Sequence, residues 1–180
     1  MRREAVTQYC DVIQGPLWDS VTVDPRCVAV LFMVPVGQGS SIFAPGAKNS
    51  ADTNMLLSGQ IAAGMTFQVN AVDCEPLFGA PREALEAITF RLIIGNRWFV
   101  EIPASRATCR LTIEERARGL MLPGMKWSHS IERKPLQLEP TVAFHMDVMS
   151  YATAPVSIRV ALDGFHYRPL ERWARLQGIK

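Results

Sequence analysis

Val142-Ala143-Phe144-His145-Met146-Asp147-Val148-Met149 and Val156-Ser157-Ile158-Arg159-Val160-Ala161-Leu162 each place an apolar side chain at every second position. Strand side chains project alternately to opposite faces, so strict alternation marks half-buried β-strands. Val142, Phe144, Met146 and Val148 share one face, and Ala143, His145 and Asp147 share the other. Val156, Ile158, Val160 and Leu162 repeat the pattern, with Ser157 and Arg159 turned away and Asp163-Gly164 read as a turn after them. No helical run separates the two segments, so they read as a C-terminal hairpin forming one wall of the fold.

Working outward, the same signature recurs. Residues 65–72 alternate with Met65, Phe67, Val69 and Ala71 inward. Residues 88–94 and 97–102 alternate around Gly95-Asn96, a pair that tolerates positive φ and signals a two-residue hairpin. Trp98, Val100 and Ile102 are expected in the core, with Arg97, Phe99 and Glu101 on the outer face. Residues 27–34 form a continuous apolar run and read as a strand buried on both faces. Short strands are expected at 55–57 and 136–138. Together these give about eight strands.

Helical patterns are few: about two turns at 80–86 opened by Pro81, one or two at 114–121, and one at 170–176 stopped by Gly178. An α/β fold needs a helix between most strands. The pattern instead predicts an all-β, two-sheet antiparallel sandwich, a jelly roll at this strand number, with an immunoglobulin-like sandwich as the alternative. Residues 21–180 are read as this single domain and 1–20, broken by Gly15-Pro16, as an N-terminal arm. On that reading, the domain folds without residues 1–20.

The 180 residues carry a formal charge of +2, which gives no general reason to expect binding to nucleic acid or anionic membranes. Of the 19 basic residues, only Lys48, Lys126, Lys134 and Lys180 are lysines. Arginine suits interfaces through its planar fork, although arginine-favouring codons explain the bias equally well. No signal-like apolar segment follows Met1-Arg2-Arg3-Glu4, and no apolar run approaches the roughly 20 residues of a spanning helix. The expected setting is therefore the cytosol, without a membrane span and with reduced thiols.

Cys10, Cys27, Cys74 and Cys109 lack metal-ligand spacing and are read as buried small hydrophobes. A phosphate loop needs Lys followed by Ser or Thr, which Gly46-Ala47-Lys48-Asn49 breaks. His129, His145 and His166 make no His-x-His pair, and no G-x-S-x-G elbow is present. No catalytic residue, cofactor or metal ligand is assigned. Attention falls instead on the irregular stretch from Val36 to Asn54, because long loops without regular structure tend to carry function.

The run Leu31-Phe32-Met33-Val34-Pro35-Val36-Gly37-Gln38-Gly39, then Asp52-Thr53-Asn54-Met55 and Phe67-Gln68-Val69-Asn70-Ala71-Val72, resembles small structural proteins of bacteriophage particles. So do Ile93-Ile94-Gly95-Asn96, Trp98-Phe99-Val100-Glu101-Ile102-Pro103 and Val160-Ala161-Leu162-Asp163-Gly164. The likeness implies a jelly-roll virion protein that builds or decorates a capsid, partnered by its own copies and by other virion proteins. It implies no enzyme activity, small-molecule substrate, specific nucleic-acid binding or catalytic residue. Candidate interface residues are Trp18, Gln38, Lys48, Asp52, Asn54, Arg97, Phe99, Glu101, His145, Arg159, His166, Tyr167, Arg168 and Trp173. A carbohydrate-binding sandwich of a phage tail or fibre, stacking sugars on Trp127 or Tyr167, is the alternative. A hydrolase is a third, requiring carboxylates or His166 to converge in a cleft.

Overall fold

The computed structural model of the chain describes residues 10–80, 82–104 and 136–169. Nine strands follow in chain order: β1 (Cys10–Gln14), β2 (Leu17–Val23), β3 (Val28–Leu31), β4 (Thr66–Pro76), β5 (Ile88–Ile94), β6 (Arg97–Pro103), β7 (Leu136–Leu138), β8 (Phe144–Ser150) and β9 (Val156–Pro169). The helix expected near Pro81 is a 3-10 turn, Arg82–Ala87, ahead of β5. The expected elements at 114–121 and 170–176, with Trp127, Trp173 and Cys109, lie outside the described residues.

All pairings are antiparallel, and they nest. β5 pairs β6, β4 pairs β7, β3 pairs β8, and β1 and β2 lie end to end along one edge of β9. Two further pairings, β4 with β9 and β5 with β8, join these into two sheets. One runs β1/β2-β9-β4-β7 and the other β3-β8-β5-β6. A hairpin of eight strands rolled in this nested way is the jelly-roll connectivity. The expected all-β sandwich is thus the fold.

Alternation explains why the sheets face each other. In β8, Phe144, Met146 and Val148 are buried, with His145 and Asp147 partly exposed between them. Val156, Ile158, Val160 and Leu162 of β9 are buried across the gap, and both sets join one apolar cluster with Phe67, Phe90 and Leu92. Each such side chain contributes roughly 1.5–3 kcal/mol on leaving water.

Several expectations are corrected. The expected C-terminal hairpin does not pair: β8 lies in one sheet and β9 in the other, so 151–155 crosses between the sheets. From Cys10 onward, the expected arm is sheet: β1 and β2 pair with β9, and Leu17 and Asp19 are buried. Deleting residues 1–20 therefore removes a wall of the sandwich, so unfolding is now the expected result. β3 is not buried on both faces. It is an edge strand whose Val28 and Val30 are exposed, and Leu31 and Phe32 alone enter the core beside the partly buried Ala29. Residues 55–57 form no strand; Met55 is buried and Leu56 and Leu57 are exposed. Cys27 is exposed, whereas Cys74 is buried as expected.

Asp163-Gly164 is not a turn but the middle of β9. Opposite it, the register slips between Val69 and Ala71, leaving Asn70 as an extra residue. A side chain at Gly164 would collide with the Gln68 carbonyl oxygen and come within 2.8 Å of the Phe67 ring. Glycine is there for close approach of backbone to backbone at a bulge.

Candidate functional site

The Val36–Asn54 loop is held by a buried ion pair. Lys48 Nζ donates to Asp19 Oδ1 at 2.6 Å and to the Ser20 carbonyl at 3.1 Å. Asp19 Oδ2 accepts the Phe32 amide at 2.7 Å, and Oδ1 also accepts the Ser20 amide at 2.9 Å. Asp19 is fully buried and Lys48 only 8% exposed. Burial pushes the Asp19 carboxyl up from its ordinary value, and the Lys48 ammonium and the two amides offset only part of that.

Asp52, also buried, accepts the Ile42 and Asn49 amides, each at 2.9 Å. Burial alone would raise its carboxyl, but the Asn49 amide, Ser41 hydroxyl, Ile42 amide and Lys48 charge together hold it below its ordinary value. Asn54 accepts the Trp18 amide and donates to the Pro16 carbonyl, both at 2.8 Å. Lys48, Asp52 and Asn54 are thus loop-fixing residues, a correction to their assignment as contacts: their polar groups are spent within the fold. Gln38 remains exposed.

Among the described residues, the outer face of the β3-β8-β5-β6 sheet is open. Across it run Val30, Asp147, Arg91 and Glu101 in one row, with His145, Ile93 and Trp98 in the next. Arg91 Nη2 donates to Glu101 Oε2 at 2.9 Å. His145 stands 3.7 Å from Asp147 on the outward face, as its parity predicts. Trp98 is the correction in this sheet. Expected in the core, it is 67% exposed, because the β5–β6 register slips between Leu92 and Ile93 and turns the β6 tip outward. Arg97, Phe99 and Glu101 are exposed beside it.

At the end of β9, the candidate contacts part company. His166 packs against buried Phe67 with tilted rings and centroids 4.6 Å apart, its Nδ1 is buried without a hydrogen-bond partner among the described residues, and burial lowers its pKa. Tyr167 donates its hydroxyl to Gln68 Oε1 at 3.0 Å. Arg168 is partly exposed, and Trp173 lies outside the described residues.

On the outer face of the other sheet, three neighbouring strands bring Trp18, Ala161 and Asp73 into one row, with Ser20, Arg159 and Glu75 in the next. Ala161 is the smallest side chain of its row, so a depression of about 250 Å³ opens above it, lined by Pro16, Trp18, Asp73, Cys74, Glu75, Arg159 and Ala161. Arg159 Nη1 is 3.7 Å from Glu75 Oε2, and Nη2 donates to the Ala51 carbonyl at 2.9 Å. The guanidinium also stands 5.4 Å from the Phe43 ring centre. Trp18 and Arg159 were legible as surface residues. Asp73 and Glu75 were not, because parity counted from Phe67 and Val69 sends them inward; the extra residue Asn70 reverses the phase.

Among the described residues, no group of three His, Cys, Asp or Glu side chains is placed to hold a metal ion, and no helix is long and apolar enough to cross a membrane. Comparison with protein-family models, with curated proteins and with solved structures finds no match.

Proposed function

We propose that this protein is a virion structural subunit, a jelly roll that builds or decorates a bacteriophage capsid through contacts between subunits. The observation that carries the reading is the open β3-β8-β5-β6 face. There, Val28 and Trp98 are 61% and 67% exposed at opposite sides of the sheet, flanking the Asp147–Arg91–Glu101 charges. An isolated subunit gains nothing from apolar side chains in water, whereas a repeated contact buries them, and aromatic and arginine anchors dominate such contacts. The resemblance to phage structural proteins supports the same reading.

Repeated heterologous contacts between identical jelly rolls close rings or shells when the rotation closes. The tied-down Val36–Asn54 loop contributes by presenting Gln38 on a fixed frame. Sedimentation velocity over a concentration series tests the reading. Wild-type chain forms larger species as concentration rises, and Trp98→Ser shifts them towards monomer at an unchanged melting temperature. A wild type that stays monomeric throughout, alone and mixed with the other shell proteins, overturns it.

A further inference from the structure

We infer that the depression between Trp18 and Asp73 is a binding site for a single neutral saccharide ring. The site stands on its own geometry and does not depend on the assembly reading.

Its shape comes from one row of the sheet: an indole on β2, a methyl floor on β9 and a carboxylate on β4. At about 250 Å³ it is smaller than the roughly 300–1,000 Å³ of pockets for drug-sized ligands, which suits one ring rather than an extended chain. The Trp18 backbone is fixed on both sides, by β9 and by the Asn54 side-chain oxygen, so the point from which the indole projects is pre-set. Such an aromatic wall packs against the C–H face of a pyranose. The planar groups beside it fit the hydroxyl edge: the Glu75 carboxylate accepts, and Arg159, whose Nε donates to Ser20 Oγ at 3.3 Å and whose Nη2 donates to the Ala51 carbonyl, presents Nη1 as a donor.

Charge narrows the ligand class. Glu75 opposes an anion, Arg159 opposes a cation, and a neutral polyol meets neither objection. Arg159 and Glu75 stand 3.7 Å apart, beyond hydrogen-bond length, so one sugar hydroxyl seated at that gap accepts from the first and donates to the second. Asp73, only 8% exposed, bounds the inner side of the depression.

The test is titration of the purified full chain with D-glucose, D-galactose, D-mannose and N-acetyl-D-glucosamine, followed by calorimetry and saturation-transfer NMR. Choline and inorganic phosphate serve as charged probes. At least one sugar saturates a single site. Ala161→Leu, which fills the depression, abolishes that binding, and Glu75→Gln, at an exposed position, weakens it about tenfold, the scale of one charge-assisted hydrogen bond. Trp18→Phe retains part of the affinity that Trp18→Ala loses. Thermal melting of each variant establishes that it is folded, and Glu75→Gln carries the test if Ala161→Leu is not. Saturation by none of the four sugars, sugar binding unaffected by Glu75→Gln, or choline or phosphate bound there in a sugar's place overturns the inference.

Discussion

The Val36–Asn54 loop and strand β6 invert each other. The loop is polar and irregular, yet Lys48, Asp52 and Thr53 are buried in it. The strand is apolar and regular in sequence, yet it bares Trp98 and Phe99. Residue type predicts burial only where nothing else claims the group. A polar side chain with a full set of partners belongs inside, and an apolar one on a bulged edge strand belongs outside. In this molecule, the residues that look like contacts are part of the frame, and one that looks like core lies on the surface.

The most damaging way to probe that contrast is Lys48→Met. It strands the Asp19 carboxylate in the interior, and breaking a buried pair from one side costs about 3–5 kcal/mol. Denaturant midpoints will show this, with Asp19→Asn/Lys48→Met recovering part of the loss. A cost near zero for Lys48→Met means that the loop is held by something else.

Acid comes next. The Asp52 carboxyl is held below its ordinary value, so its stabilisation is present above the unfolded pKa of about 3.9 and is lost as pH falls through its lower folded value. Asp19 is shifted upward, so its contribution has the opposite sign: fully present below that pKa and lost as pH rises through the folded value. Asp52→Asn therefore lowers the melting temperature at neutral pH, and the gap to wild type narrows in strong acid. A gap independent of pH contradicts the assignment.

On the β6 side, effects on stability are smaller. Arg91→Gln removes a solvent-exposed pair with Glu101 and costs about 0–1 kcal/mol, read from the same midpoints. Trp98→Ser is the smallest, within about 0.5 kcal/mol of wild type, because the indole is already in water. A loss of several kcal/mol at Trp98 would mean that the side chain is core after all, and the inversion would fail.

The fold was legible because alternation is strict where it matters. Phe144, Met146 and Val148 of β8, and Val156, Ile158 and Val160 of β9, face the core as their parity predicts. The Gly95-Asn96 turn was legible for the same local reason: Gly95 takes φ +59°. What escaped reading is set by pairing between distant segments. The extra residue at Asn70 reverses the phase of β4 and brings Asp73 and Glu75 to the depression, and the slip opposite Leu92–Ile93 turns Trp98 outward. Neither bulge leaves a local signature, although Gly164 marks the first in hindsight. The buried Asp19–Lys48 pair joins residues 29 apart in sequence, and composition alone gave no reason to bury either.

Assembly is the central claim, and quantitative mass spectrometry of particles purified from cells that express this chain tests it most directly. The protein is predicted to be present in many copies per particle, at a fixed ratio to the other shell proteins. Its absence from purified particles, or a trace amount that varies between preparations, would contradict that claim.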